Sequence, residues 1–242
     1  MFMEVKILKF GGTSLRNEAT RKYVYKHIFH DVESFKLIVV VSAMGRYPDA
    51  YATDTLLSMG SDKLSSSERA SLVSMGEQLS ALRVCSELLE MGVKAYALPF
   101  QECGIVTDNN YDYAKVIKLD NKEIKSKLDE YDVIVVGGFI GINASKEVTT
   151  LGRGGSDYSA VLFAKMMGLS SVSIYTDVDG VYDLDPKIHE FAVKYDVLTY
   201  DEMLNMKSRV LHERCVTFAK ENHITIFLKG TFSSSSGTMI EG

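Results

Sequence analysis

The chain has 242 residues, 46% hydrophobic and 24% charged, which is enough apolar material for a full core and excludes a disordered chain. Its formal net charge of -5, with no cluster of lysine or arginine, argues against a nucleic-acid or anionic-membrane partner, since either calls for a basic face. Three cysteines, Cys85, Cys103 and Cys215, are odd in number and far apart, which excludes a disulfide framework or a C-x-x-C site and fits a reducing cytoplasm.

In chain order, MFMEVKILKF interrupts its apolar residues with Glu4, Lys6 and Lys9, so it reads as a strand and not as a signal-peptide core. A helical pattern over Glu18 to His30 follows. KLIVVVSAM then leads to a helix over Ser67 to Met91, and VKAYALPF to a helix over Asn121 to Glu130. YDVIVVGGFIGI precedes a hairpin turning at Ala144 to Glu147, whose return leg ends in TTLGRGGSD and a helix over Tyr158 to Met167. SVSIYTDVDGVY, a helical pattern from Tyr200 to Glu221 and the strand ITIFLKG complete the series. The apolar run from Val133 to Ile142 is too short to span a membrane, so no targeting or anchoring segment is expected.

Runs such as IVVV and VIVV are apolar on both faces, as a parallel sheet between two helical layers requires. The fold class is therefore α/β, a three-layer αβα sandwich with a mainly parallel central sheet. With no repeat and no interdomain linker, residues 1–242 read as a single domain of two lobes on one continuous sheet. In such sheets ligands sit beyond the carboxyl ends of the strands, so the residues following each apolar run are the candidates for chemistry.

KFGGTS places Lys9 on the first strand and Gly11, Gly12, Thr13 and Ser14 after it. Bare glycine amides, hydroxyls and one lysine suit a phosphate, although a tight strand-to-helix turn with a solvated lysine accounts for them equally. VSAMGR is followed by Thr53 and Asp54, either a helix N-cap or a ligand contact. Gly76 lies inside a helical pattern just before Glu77, at about 1 kcal/mol relative to alanine, which implies that something comes close to that backbone. Arg153 presents a planar fork suited to a carboxylate, and Gly154 and Gly155 let backbone pass near that ligand. Ser156 and Asp157 open the next helix, where capping and an anion site are compatible. Asp177, Asp179, Asp183 and Asp185 do not form a calcium loop, because Gly180 comes fourth where that loop needs its glycine sixth. Thr176, Asp177 and Tyr182 could instead hold a nucleotide's base and ribose.

Taken together, KFGGTS, VVVSAMGR, ATDTL, SMGEQLS, VGGFIG, TTLGRGGSD, TDVDGVY-x-x-DP, VLH and GTMI occur in the order and approximate spacing of the aspartokinases, members of the amino acid kinase superfamily, and the chain resembles that family over almost its whole length. The resemblance implies the amino acid kinase fold and transfer of the ATP γ-phosphoryl group, with Mg²⁺, to the β-carboxylate of L-aspartate, the entry step to lysine, threonine and methionine synthesis. It implies an N-terminal lobe of about residues 1–168 for the amino acid and phosphates and a C-terminal lobe of about 169–242 for the nucleotide. Lys9, Gly11, Gly12 and Ser14 would meet the phosphates. Glu77 would take the aspartate ammonium and Arg153 the α-carboxylate, with Thr53 and Ser156 assisting, while Asp157 would orient the lysine. Thr176, Asp177, Tyr182, Asp185 and Lys187 would line the nucleotide site.

The family's G-A-K-V-L-H-P-R is represented here by Lys207, Ser208, Arg209, Val210, Leu211, His212, Glu213 and Arg214, after a helix shortened by roughly one turn. The phosphate-clamping lysine thereby becomes Arg209, a longer and planar cation, with Lys207 as the other choice. The chain stops just after GTMI, where the family continues into regulatory ACT domains, so end-product control is expected to lack its usual seat. Expected partners are ATP and L-aspartate, with a homodimer allowed and with neither nucleic acid nor membrane. The rivals are a superfamily kinase acting on acetylglutamate, carbamate or UMP, which an ammonium-binding Glu77 disfavours, and a catalytically weak regulatory or binding paralogue.

Overall fold

A computed structural model describes residues 4–186, 188–206 and 210–242. The first half of the chain forms β1 (Val5–Phe10), α1 (Gly12–Leu15), α2 (Glu18–Val32), β2 (Lys36–Val41), α3 (Thr53–Met59), α4 (Ser66–Glu90), β3 (Ala95–Leu98), β4 (Ile105–Thr107) and β5 (Val116–Leu119). The second half forms α5 (Lys122–Glu130), β6 (Val133–Gly137), β7 (Ile140–Asn143), β8 (Val148–Thr150), α6 (Gly155–Met167), β9 (Ser171–Thr176), β10 (Val197–Thr199), α7 (Tyr200–Asn205), α8 (Glu213–Glu221), β11 (Thr225–Gly230) and β12 (Thr238–Glu241).

Eight strands make the main sheet in the order β10-β12-β11-β9-β1-β2-β6-β3, parallel except where β11 meets β12. Side chains alternate across it as the period of a strand dictates. Leu37, Val39 and Val41 pack with α2 and α4 on one face, and Ile38 and Val40 pack with α5, α6 and α8 on the other. This is the expected α/β sandwich. Asn17 with Thr20 and Ser65 with Glu68 form capping boxes that start α2 and α4. The three cysteines are free and buried. No helix among the described residues is long and apolar enough to cross a membrane.

Sequence and structure part at several places. The helical pattern from Tyr200 to Glu221 is two helices, α7 and α8, because Met206 at the end of the first and His212 at the start of the second have extended backbone. A separate four-stranded sheet, β5-β4-β7-β8, contains the expected hairpin, while β4 and β5 are too short to announce themselves in the sequence. Thr53 is the first residue inside α3 and not its cap, which is Ala52. Nor do Ser156 and Asp157 cap α6, whose N-cap is Gly154 in the left-handed conformation with no side-chain bond.

From β1 the chain passes to β2 on one side of the sheet and eventually to β9 on the other. The carboxyl ends of β1 and β9 therefore flank a crevice where strand order reverses, and the site lies there.

Candidate functional site

A cleft of about 460 Å³ is lined by Lys9, Thr53, Glu77, Arg153, Ser156 and Asp157 together with Ser42, Arg69 and Asp112. Sequence reasoning had brought six of these together from four separate motifs. Glu77 projects from α4 and is only 2% exposed. Its Oε1 accepts from the Ala43 backbone N–H at 3.3 Å and from the Thr53 hydroxyl at 3.4 Å, while Oε2 is buried without a partner. Burial pushes its carboxyl up to about 8, with those hydrogen bonds opposing the shift. What comes close to Gly76 is the loop after β2. A Cβ there would lie 2.9 Å from both the Ala43 Cβ and the Tyr51 carbonyl oxygen, so glycine lets this loop deliver Ala43 and Thr53 onto Glu77.

The glycines around Arg153 have a similar explanation, which adds to their place on the cleft wall. Gly152 and Gly154 adopt φ of +78 and +68, and a Cβ would lie 2.1 Å from the Tyr113 ring and 2.3 Å from the His212 Cβ. Gly155 packs against Phe139 in the same way. The bare backbone thus admits the protein's own side chains, which lock the turn that presents Arg153. Arg214, one residue inside α8, completes the lock. Its guanidinium donates to the Leu151 and Ala114 carbonyls at 2.8 and 2.6 Å and lies over the rings of Tyr113 and Tyr158.

Lys9, 7% exposed on β1, pairs with Asp157 of α6 at 2.6 Å. This pair forms the wall between the large cleft and a second pocket of about 210 Å³, which is lined by Gly11, Gly12, Thr13, Ser14, Ser42, Arg46, Thr176 and Asp177 as well as by the pair itself. Ser14 is fully buried there and its hydroxyl pairs with that of Thr231 at 2.6 Å. The Thr176 hydroxyl donates to Asp177 at 3.1 Å. A third pocket, about 170 Å³, adjoins through Val210 and is lined by Gly180, Tyr182, Leu184, Asp185 and Pro186. The Tyr182 hydroxyl donates to Asp179 at 2.7 Å. Lys187, Lys207 and Arg209 lie outside the described residues.

The sequence reading missed Ser42, Arg46, Arg69 and Asp112. Ser42 and Arg46 follow β2 directly, where the strand-end rule could have found them. Arg69 and Asp112 pair at 3.6 Å across the cleft from elements far apart in the chain, and nothing local marks them.

The arrangement is a row of pockets along one crevice, with a buried carboxylate and an arginine in the first, a lysine on the shared wall, and glycine amides with hydroxyls in the second. It can hold a small zwitterion against a polyphosphate. The profile of the amino acid kinase family matches residues 4–230. The chain belongs to the amino acid kinase family. Within that family it is 37% identical over 245 residues to aspartokinase 1 of Bacillus subtilis, covering 98% of this chain and 61% of that protein. The aspartokinase of Geobacillus stearothermophilus is 36% identical, covering 99% of this chain and 59% of that one. Among solved structures, E. coli aspartokinase III in complex with aspartate and ADP superposes with a TM-score of 0.85 at 25% identity, covering 99% of this chain and 65% of that one. This member of the amino acid kinase family thus spans about three-fifths of the length of the curated relatives it matches.

Proposed function

We propose that the chain carries the catalytic unit of an aspartate kinase, transferring the γ-phosphoryl group of ATP to the β-carboxylate of L-aspartate to give 4-phospho-L-aspartate. The observation that carries this reading is Glu77, a buried carboxylate with one unpartnered oxygen in the same cleft as Arg153. A primary ammonium satisfies the former and an α-carboxylate the latter, with Thr53 and Ser156 at their sides. The second carboxylate of a four-carbon acid then extends toward the wall formed by Lys9 and Asp157. Similarity to aspartokinases, one of them solved with aspartate and ADP, supports the same assignment.

In this reading the second pocket takes the phosphates on the Gly11 and Gly12 turn, with Ser14 nearby. Thr176, Asp177, Tyr182 and Asp185 face the nucleoside, and the expected roles of Lys187 and Arg209 complete that end. Residues up to about 168 thus serve the amino acid and phosphates and the remainder the nucleoside. A β-carboxylate oxygen forms a bond to the γ-phosphorus while the bond to the β–γ bridging oxygen breaks, and ADP leaves with that electron pair. The carboxylate is already ionised, so no strong base is needed, and catalysis consists of positioning plus neutralisation by Lys9, which Asp157 holds in place. Among the described residues no group of three His, Cys, Asp or Glu side chains could cage a metal, and Asp157 and Asp177 are each paired with a cation. Mg²⁺ would accompany the nucleotide into the pocket that Lys9, Gly11, Gly12 and Ser14 line, where it would supply further charge neutralisation. We place the enzyme in the cytoplasm, with a homodimer allowed.

Hydroxylamine trapping tests the reading, because acyl phosphates give hydroxamates. Product should depend on ATP, Mg²⁺ and L-aspartate together. Absence of product with aspartate, or equal product with N-acetylglutamate, would sink it.

A further inference from the structure

This inference rests on the reading of the second pocket as the seat of the nucleotide phosphates. Two ion pairs cross that pocket. Lys9 and Asp157 stand at its inner wall, and at its lip Arg46 meets Asp177 at 3.4 Å. The loop bearing Arg46 is built onto the glycine turn. The Gly45 N–H donates to the Gly12 carbonyl at 2.8 Å, and the carbonyl oxygens of Ala43 and Gly45 lie so close that a Cβ on Gly12 would sit 2.5 Å from each. The Arg46 N–H donates to Asp49 Oδ2 at 3.0 Å, and Arg16 holds the Asp49 carboxylate at 2.9 and 3.0 Å. The backbone under Arg46 is therefore fixed relative to Gly11 and Gly12, while its side chain is 73% exposed and free to reorient.

An ion pair that open is weakly held, at a distance too long for a strong hydrogen bond. A phosphate offers more charge and a geometry matched to the guanidinium fork. We infer that Arg46 is a phosphate-binding residue: on nucleotide entry its guanidinium leaves Asp177 and takes oxygens of the terminal phosphates. The Arg46–Asp177 pair is then the resting arrangement, in which, among the described residues, Lys9 and Arg46 are balanced by Asp157 and Asp177. Entry of a polyphosphate exchanges one carboxylate partner for a better one.

Isothermal titration with ATP and Mg²⁺, and with adenosine by competition, tests this on the wild type, Arg46→Gln and Arg46→Lys. Arg46→Gln should weaken ATP by roughly tenfold or more while leaving adenosine unchanged, and Arg46→Lys should recover part of the loss, as a charge-assisted phosphate contact requires. Unchanged ATP affinity in Arg46→Gln overturns the inference, as does equal weakening of ATP and adenosine, which would make the pair a structural latch. A wild type that binds neither ligand overturns the nucleotide reading itself.

Discussion

Lys9 and Asp157 meet at 2.6 Å on the wall that the two main pockets share, so one ion pair borders both the 460 Å³ cleft and the glycine turn. A cation in that position can neutralise charge at the point of transfer. Lys9→Met should lower kcat by roughly 10²–10³-fold, the range for losing one preorganised electrostatic contact, with a far smaller change in the KM for aspartate. Steady-state kinetics decide the matter, and a variant of near wild-type kcat would remove Lys9 from the chemistry.

Glu77 and Arg153 line one cleft with different chemistry, and the effect of each should be separable. Truncating one member of a buried charge pair costs about 2–5 kcal/mol, much of it from the partner left behind, so Glu77→Ala should reduce kcat/KM for aspartate by roughly 30- to 5,000-fold. The KM for ATP should barely move. The preference for aspartate over succinate, which lacks the ammonium, should narrow. An unaltered aspartate-to-succinate ratio in the hydroxamate assay would make Glu77 a structural residue.

The raised carboxyl of Glu77 predicts a proton coupling with a definite sign. In the empty protein burial holds it protonated up to about pH 8, whereas in the unfolded chain it ionises near 4.5. Its favourable contribution to stability is thus fully present below 4.5 and is lost as pH rises toward 8. The melting temperature of Glu77→Gln should gain on that of the wild type between pH 5 and 8. Binding an ammonium requires the ionised form, so at pH 7 aspartate should displace a proton. Titration calorimetry in buffers of different ionisation enthalpy measures that proton, and buffer-independent heats would rule out the coupling.

Two left-handed glycines at opposite ends of α6 make an internal control. At Gly154 a Cβ would lie 2.3 Å from the His212 Cβ, whereas at Gly168, φ +71, it would meet nothing within 4 Å. Gly168→Ala should cost about 1 kcal/mol from backbone conformation alone and leave kinetics unchanged. Gly154→Ala adds a clash and a displaced Arg153 turn, so it should exceed that loss and raise the KM for aspartate. Urea unfolding and kinetics on the pair check both statements.

Behind the site, Glu87 of α4 accepts two hydrogen bonds from Arg21 at 2.7 and 2.9 Å, with Tyr25 and Arg83 also donating to it. Burial works to raise its carboxyl, but Arg21 and Tyr25 outweigh burial and hold it at about 2. This contribution is present above about pH 4.5 and lost as pH falls toward 2. Glu87→Ala should destabilise the protein by roughly 3–5 kcal/mol, since it strands a buried Arg21, while kcat per folded molecule stays unchanged. A melting temperature within error of the wild type would refute the assignment.

The architecture was legible because it is written in neighbouring residues. Alternation in KLIVVV fixes which side chains face each helical layer, and an apolar run on both faces demands layers on both sides. The strand ends, and with them Lys9, Gly11 and Gly12, followed from that periodicity, whereas Glu77, Arg153 and Asp157 were singled out by the order of the motifs and the family resemblance they carry. Tertiary structure alone decided the rest. Nothing in the residues adjacent to Glu77 marks it as buried, and it becomes a buried acid only because the loop carrying Ala43, Tyr51 and Thr53 closes over Gly76. The glycines around Arg153 read as letting backbone pass near a ligand, and only the fold shows that they also admit Tyr113 and His212. Arg46 reaches the second pocket because Gly12 admits its loop, and Arg69 meets Asp112 across the cleft although no motif contains both. Periodicity is a property of adjacent side chains and survives in the one-dimensional string, whereas burial, ion pairing and close backbone approach depend on which distant segments the folded chain brings within a few ångströms of one another.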